Sequence, residues 1–484
     1  MFMVKTNEIA ELEALIISLQ AEIQQLRAEN TDLKARLALN STNSSKPPAS
    51  DGLAKKPLIR PAIAKEPGKK PGGQPGHPGK TLQFVEQPDT ICLHAPSHCR
   101  QCGLELTDTP TMSERRQVFD LPQPRLYVQE HQVFQRQCSC GCVQRGAFPD
   151  QVAAPLQYGP RIHAQSILLN VDYKLPFAKI RQFWADVVGQ AYNPATLSHI
   201  EETLSVRLIP IEAQIKAHLQ AAPVCHFDET GLRVAGKLHW LHVACTALYT
   251  YLFVHPSRGQ KALKSTQSVF EGCTNWLVHD CWSSYFAADA GRHALCGAHL
   301  LRELQGQIDR DRVWAKPLHE YLLALYKARR YGLLAANERR SWEQVYRQLC
   351  EQGLAQEPPP LIFYNKEGKA LNKRPAQSRG RNLLNRLVSH EAAVLAFAFE
   401  EGVPFTNNEA ERALRPAKIK QKVSGGFRTE AGAATYARIA GFVATMRKQQ
   451  CNVVEQLANV LKGHFQWATK QLPLFLVNHI FWSK

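Results

Sequence analysis

The most regular hydrophobic pattern in the chain is a heptad repeat near its start. Leucine recurs at every seventh position, at Leu12, Leu19, Leu26 and Leu33. A second, mostly isoleucine series precedes these leucines by three positions, and one polar residue, Asn30, interrupts it. Such a pattern favours a parallel two-stranded coiled coil whose register a buried asparagine fixes. We therefore predict a leucine-zipper coiled coil over residues 6–39 that makes a homodimer or higher oligomer; the alternative is an amphipathic helix packed on its own domain.

A different pattern, in the middle of the chain, predicts a β-sheet. Four apolar, β-branched segments have the composition of strands, at residues 223–230, 237–248, 249–254 and 276–285. Residues 259–270, before the fourth, have the spacing of an amphipathic helix. This order of elements is that of a ribonuclease-H-like sheet, in which the first and fourth strands are neighbours. Because these two strands carry Asp228 and Asp280, we expect the two carboxylates to lie together and bind metal ions that handle phosphate.

Helical periodicity dominates the remaining segments. Residues 151–218 are predicted to be helical, and the pair at 177–188 and 195–208 is compatible with a DNA-reading helix-turn-helix. Ordinary packing is an equal alternative, because Glu201 and Glu202 would repel phosphate. Residues 313–402 are also predicted to be helical, and Ala-rich helices follow from 429 to 461.

The charge of the chain points to a polyanionic partner. Its 59 Lys and Arg exceed its 42 Asp and Glu, giving a formal net charge of +17, and nucleic acid is the commonest partner of such proteins. Residues 40–85, rich in proline and glycine, are predicted to form a flexible basic linker without a core. No signal peptide or long apolar run is apparent, so we expect a cytoplasmic protein that associates with the nucleoid when bound to DNA.

Cysteine spacing predicts a structural zinc site. Two cysteine-rich turns flank two segments with strand-like alternation, at residues 115–121 and 125–134, so a zinc-ribbon-like module is expected over residues 86–150. Its ligands would be Cys99, Cys102, Cys138 and Cys140. Cys142 is the alternative to Cys140, which we favour because a glycine follows it, as one follows Cys102. The other cysteines are mostly scattered singly, which favours a reducing compartment.

A third acid, far downstream, is needed to complete a metal centre with the two aspartates. Glu411 lies three residues after Asn408, and this spacing alone is compatible with a helix capping box. However, a run of basic residues follows, so the carboxylate is surrounded by cations that suit phosphate. The predicted DNA-binding residues are Arg412, Arg415, Lys418, Lys420 and Lys422.

Four segments resemble the transposases of the insertion sequence 66 family: residues 227–230 (Phe-Asp-Glu-Thr), 279–282 (His-Asp-Cys-Trp), 296–304 (Cys-Gly-Ala-His-Leu-Leu-Arg-Glu-Leu) and 407–416 (Asn-Asn-Glu-Ala-Glu-Arg-Ala-Leu-Arg-Pro). The resemblance implies a DDE transposase with a ribonuclease-H-like catalytic domain and the catalytic acids Asp228, Asp280 and Glu411. Thr406 departs from the family, which often has aspartate there, and Glu409 is the alternative to Glu411.

The resemblance also implies what the metal ions do. Two Mg²⁺ or Mn²⁺ ions are expected, with Asp228 bound to both, Asp280 to one and Glu411 to the other. The expected reaction is cleavage of DNA at the element ends, followed by transfer of the 3′-hydroxyl to target DNA. Accessory transposition proteins are further candidate partners. The alternatives are a nuclease without strand transfer and a non-enzymatic, zinc-dependent DNA-binding regulator.

The resulting fold class is a multidomain α/β protein. The expected order is the coiled coil (6–39), the linker (40–85), the zinc ribbon (86–150), a helical region (151–218), the catalytic domain (219–445) with a helical insertion at about 311–402, and C-terminal helices and tail (446–484).

Overall fold

A computed structural model describes residues 82–288, 290–330, 332, 334–359 and 377–467, with six isolated positions between 30 and 43. The predicted zipper and linker lie almost wholly outside the described residues, as do most of the basic run at 366–381 and the tail from residue 468. The chain divides into two compact units. The smaller contains residues 53–129 and 187–189, and the larger contains 1–52, 130–186 and 190–484.

A mixed five-stranded sheet organises the larger unit. Its strands are β3 (Val224–Val234), β4 (Lys237–Cys245), β5 (Thr250–His255), β6 (Trp276–His279) and β7 (Arg292–Leu295), arranged in the order β5-β4-β3-β6-β7. Strand β4 runs antiparallel to both of its neighbours, β3 and β5, whereas β3, β6 and β7 run parallel. The first and fourth strands of the sheet are therefore neighbours, as predicted. Two short strands, β1 (Gln135–Gln137) and β2 (Val143–Arg145), form a separate hairpin.

Helices precede, interrupt and follow the sheet, which makes the described chain a mixed α/β structure. They are α1 (Pro160–Val171), α2 (Phe177–Val188), α3 (Pro194–Arg207), α4 (Ile209–Ala221), α5 (Gln260–Leu263), α6 (Ser283–Phe286), α7 (Gly297–Ile308), α8 (Ala315–Arg329), α9 (Ala336–Gln356), α10 (Arg379–Ser389), α11 (Glu391–Phe399), α12 (Asn408–Ser424), α13 (Glu430–Lys448) and α14 (Val453–Lys462). The predicted start of α3 is confirmed, since Asn193 caps it by accepting from the amide of Ala195.

Helices pack directly against strands of the sheet. Helix α13 packs on β5, where the amide of Thr250 donates to the hydroxyl of Thr445 over 3.0 Å. Helix α12 lies on β3 and β4, and α11 lies on β7. The helices inserted between β7 and α12 share a core with the sheet, in which Leu295, Leu318 and Leu384 are all at most 2% exposed. Each such side chain contributes about 1.5–3 kcal/mol by leaving water.

The second helix of the predicted helix-turn-helix is engaged inside the protein. Arg438 of α13 donates to the hydroxyl of Ser205 in α3 over 3.0 Å and pairs with Glu212 of α4 over 2.9 Å. Burial raises the pKa of Glu201, also in α3, to about 7. This face of α3 therefore packs within the larger unit. Only the opposite face of α3 is left to contact DNA.

Two sequence predictions of secondary structure are wrong. Residues 115–121 and 125–134 alternate like strands but contain none, and side chains such as Val118 and Val128 are 91% and 83% exposed. Alternation stabilises a strand only where one face is buried, so the pattern alone was insufficient. The helix predicted over 259–270 spans only Gln260–Leu263. The Ser265 hydroxyl bonds to the carbonyl of Ala262 and ends it with a local turn.

Candidate active site

Asp280 directly follows β6, and the register of β6 with the parallel strand β3 brings it level with Asp228. The β3–β6 register pairs Val224 with Trp276 and His226 with Val278, a constant offset of 52 residues. Since 228 + 52 = 280, the same register carried two residues past His226 places Asp280 opposite Asp228. Paired residues of a sheet point to the same face. The two carboxylates therefore share one face of the sheet where β6 ends.

The two aspartates share an environment that opposes their ionisation. Burial raises the pKa of Asp228 well above its usual value, and the charges of Glu229, Asp280 and Glu411 raise it further. Burial also raises the pKa of Asp280, although the backbone amide of Trp282 donates to this carboxylate over 3.1 Å and lowers it. A cation bound beside Asp228 and Asp280 would favour their ionised forms.

Asn407 fastens the start of α12, the helix that carries Glu411, to the sheet. The Asn407 side-chain amide donates to the carbonyl oxygen of Phe227 over 2.7 Å, and its oxygen accepts from Nδ1 of His226 over 2.9 Å. Its backbone amide donates to Sγ of Cys296 over 3.2 Å. These bonds join α12 to β3 beside Asp228.

The alternative interpretation of Asn408 and Glu411 as a capping box is wrong. Helix α12 begins at Asn408, so the cap position belongs to Asn407, whose side chain makes no capping bond because it is turned into the sheet. Glu411 contributes its backbone amide to the first turn, bonding to the carbonyl of Asn407 over 3.2 Å. Its carboxylate lies within 4.8 Å of potential ligand atoms of Cys296 and His299, and among the described residues neither Asp228 nor Asp280 belongs to that group.

The two candidate glutamates face different surroundings. Oε1 of Glu411 lies 3.8 Å from Nδ1 of His299 and 3.9 Å from the guanidinium of Arg302. The carboxylate of Glu409 instead pairs with Arg412 over 3.5 Å and with Lys448 over 3.9 Å. The charge of Glu411 raises the pKa of Asp228, whereas that of Glu409 raises the pKa of His226.

A buried acid and its cation, both missed by the sequence analysis, lie beside the aspartates. The Glu229 side chain is 1% exposed, accepts from Nε of Arg258 over 2.6 Å, and is also bonded by the hydroxyl of Tyr285. Arg258 extends to Asp280 at 4.0 Å and lies between the rings of Trp240 and Trp282, at 5.0 and 4.2 Å. The available sequence signal was Glu229 itself. It lies two positions after Phe227 on a buried strand, where an ionised acid needs a cationic partner.

The five predicted DNA-binding residues of α12 divide into two groups. Arg412, Arg415 and Lys422 are exposed. Lys418 instead donates to the carbonyl oxygen of Gly231 over 2.5 Å, and Lys420 donates to Oδ1 of Asn170 over 3.2 Å. The last two ammonium groups thus have partners within the protein, and burial lowers the pKa of both.

Each predicted group of zinc ligands lies on a tight turn. In the smaller unit, the Gly103 amide bonds back to the carbonyl of Cys99 over 2.9 Å, with a Gly103 φ of 74°. In the larger unit, the Gly141 amide bonds to the carbonyl of Cys138 over 2.8 Å, with a φ of 86°. Glycine adopts this left-handed backbone without strain. Hydrogen bonds from neighbouring residues lower the pKa of Cys99 and of Cys140, which favours the thiolates that metals bind.

Comparison with known protein families gives two matches. The model described as Transposase IS66 family matches residues 155–435, which include the sheet, the inserted helices and α12. A family of unknown function (DUF6444) matches residues 3–83. No curated protein matches. Among the described residues, no helix combines the length and the apolar character that crossing a bilayer requires.

Proposed function

The chain belongs to the IS66 family of transposases, and from that premise we propose that it cuts DNA at the ends of its element and joins the freed 3′-hydroxyl to target DNA. The observation that supports the proposal is the β3–β6 register, which brings Asp280, the residue after β6, level with Asp228. Glu411 lies in the first turn of α12, which packs on β3. The strand order β5-β4-β3-β6-β7 is the order expected of a ribonuclease-H-like sheet.

The donor set suits two hard divalent ions, Mg²⁺ or Mn²⁺. Carboxylate oxygens are the ligands these ions prefer, and burial, followed by the charges of Glu229 and Asp280, raises the pKa of Asp228, which a bound cation would counter. In this proposal Asp228 contacts both ions, Asp280 holds one and Glu411 holds the other. Such ions would lower the pKa of the attacking water or 3′-hydroxyl and would stabilise the leaving oxygen.

The surrounding residues keep the acids in place and receive the DNA. Arg258 holds Asp280 and Glu229 on one side, and Asn407 fixes the helix of Glu411 on the other. The exposed Arg412, Arg415 and Lys422 are positioned to neutralise phosphates. A zinc ribbon at Cys99, Cys102, Cys138 and Cys140, together with a dimer formed through residues 6–39, would hold two element ends in one complex.

Carboxylate-to-amide variants test the proposal because they keep shape and remove charge. Asp228→Asn, Asp280→Asn and Glu411→Gln should each reduce cleavage and joining of labelled element ends in magnesium to below about one-hundredth, since even indirect metal contacts are worth 10–100-fold. Binding of the same DNA should remain near that of the wild type, because the removed groups are anionic.

Glu409→Gln is the matched control for Glu411→Gln. The two residues lie two positions apart in the first turns of one helix, yet the Glu409 carboxylate is paired with Arg412 and Lys448. The control should keep its cleavage activity. An inactive Glu409→Gln beside an active Glu411→Gln would reassign the third acid, and full activity of the three test variants would refute the proposed chemistry. Cleavage without joining would identify a nuclease.

A further inference from the structure

We propose that Cys296, His299 and Glu411 form a binding site for one thiophilic divalent ion, of which Zn²⁺ is the representative. The site uses the same Glu411 carboxylate that the proposed catalytic centre needs. Binding of the ion would therefore compete with assembly of that centre. The consequence for activity rests on the proposed function, whereas the binding itself does not.

Three ligand atoms already converge. Cys296 is the cap residue of α7, and His299 lies in its first turn, so both side chains approach the start of α12. The Cys296 sulfur, a ring nitrogen of His299 and a carboxylate oxygen of Glu411 lie within 4.8 Å of one another. Zinc bonds of about 2.0–2.3 Å in a tetrahedral arrangement place neighbouring ligand atoms roughly 3.3–3.8 Å apart. The 3.8 Å between Nδ1 of His299 and Oε1 of Glu411 is within that spacing.

Two of these atoms have no hydrogen-bond partner among the described residues. Nδ1 of His299 and Oε1 of Glu411 are both buried and both lack one. Buried polar atoms are nearly always paired, so each unpaired atom calls for an explanation. A cation between them satisfies both at once. The Arg302 guanidinium, 3.9 Å from Glu411, is too distant to serve as that hydrogen-bond donor.

Burial favours the metal-binding form of His299 and opposes that of Cys296. Burial lowers the pKa of His299 to about 4, so its imidazole is neutral at physiological pH and offers a lone pair. Burial raises the pKa of the Cys296 thiol to about 11, so the ion must displace a proton to solvent. The backbone amide of Asn407, which donates to the sulfur over 3.2 Å, would stabilise the resulting thiolate.

The ligand set selects the ion. Thiolate and imidazole suit zinc and other borderline metals, whereas magnesium prefers oxygen ligands alone. Three protein ligands leave a fourth position open, as in zinc sites that bind water or substrate. This composition differs from the four cysteines predicted for the zinc ribbon, so the two sites can be separated by mutation.

Elemental analysis of the full-length protein after zinc loading and removal of free metal tests the binding. Cys296→Ser and His299→Gln should each bind one zinc fewer per chain than the wild type. Cys273→Ser is the matched control, because its thiol is equally buried and its hydrogen bond to the carbonyl of Val269 is one that a serine hydroxyl can make. The control should keep the wild-type zinc content.

Cobalt substitution distinguishes this site from the ribbon. In the wild type and in Cys273→Ser, the thiolate-to-cobalt absorption should include a component that Cys296→Ser lacks. Unchanged zinc content and unchanged cobalt spectra in both test variants would overturn the inference. Should Cys296→Ser fail to fold, as judged by circular dichroism, His299→Gln decides the matter alone.

A cleavage assay then tests the competition. Adding zinc to magnesium reactions should inhibit the wild type, and the ratio of activities with and without zinc should rise toward one in His299→Gln. Equal inhibition of both proteins would refute competition at Glu411. A wild type that binds the extra zinc but never cleaves DNA would refute the proposed function and leave the metal site standing.

Discussion

Nδ1 of His226 donates a hydrogen bond to the side-chain oxygen of Asn407 over 2.9 Å, at a point where both residues are buried. His226 lies two residues before Asp228 on β3, and Asn407 lies four residues before Glu411 at the start of α12. One internal hydrogen bond therefore links the backbone segments of two proposed metal ligands. The position of Glu411 therefore depends on the hydrogen bond between His226 and Asn407.

Replacing Asn407 with alanine should impair the site without touching an acid. Asn407→Ala leaves the carbonyl of Phe227 and Nδ1 of His226 unpaired, which should cost about 1–3 kcal/mol of unfolding free energy. Cleavage should fall roughly 10–100-fold, as for other groups that orient metal ligands. Asn408→Ala, one residue later and exposed, is the control and should change both quantities little. Denaturant titration and an element-end cleavage assay measure them.

The same pair predicts a loss of stability in mild acid. Burial lowers the pKa of His226 to about 4 from 6.5, so between these values the unfolded chain binds more protons than the folded one. Stability must then fall as the pH falls, by about 2 kcal/mol from this residue between pH 7 and pH 5. His226→Asn removes the titrating group. Its unfolding free energy should change less over that range, and an identical pH dependence would contradict the assignment.

Asp228 should destabilise the metal-free protein. Its raised pKa means that stability declines as the pH rises from about 3.8 through the folded-state value. Asp228→Asn avoids this loss, and its Oδ1 can still accept from the amide of Glu229. In EDTA at neutral pH the variant should be more stable by about 1 kcal/mol. Magnesium should raise the melting temperature of the wild type alone; a less stable variant in EDTA would contradict this account.

Salt dependence should separate the two groups of basic residues on α12. Arg412→Gln and Arg415→Gln should each reduce the slope of log affinity against log salt concentration by about one, because each exposed guanidinium would neutralise one phosphate. Lys420→Met is the contrast, since its ammonium bonds to Asn170 inside the protein. It should lower thermal stability and leave the slope unchanged. Gel-shift titrations on element ends at several salt concentrations measure the slope.

The zinc ribbon, a prediction from cysteine spacing, has its own test. Cys99→Ser should lose one zinc per chain and weaken binding to element ends, while cleavage by the protein that remains bound continues. Cys451→Ser, a half-buried cysteine of the larger unit, is the control for the general effect of losing a thiol. A full complement of zinc in Cys99→Ser would remove Cys99 from the ligand set.

The sequence was most informative where a local pattern coincided with a buried face. The β-branched segments allowed the adjacency of β3 and β6 to be predicted, and the motif around Glu411 allowed the helix α12 to be predicted. Glu229 and Arg258 were missed because they are 29 residues apart and meet only through tertiary packing. The strands predicted at 115–121 and 125–134 do not form, for the opposite reason. The alternating pattern is present, but no neighbouring layer buries its apolar side chains.

The attachment of α12 also determines when the protein becomes active during its synthesis. Strands β3 and β6 are complete by His279, whereas α12 begins at Asn408, after six further helices in the described part of the chain. The amide of Gly297 bonds to the carbonyl of Phe405 over 2.8 Å, and a Cβ on Gly297 would collide with the Phe405 ring, so α12 docks only on a finished α7. Under the proposed function, a nascent chain carries its paired aspartates without the means to cut the genome that encodes it until the residues between Asp280 and Glu411 have been made.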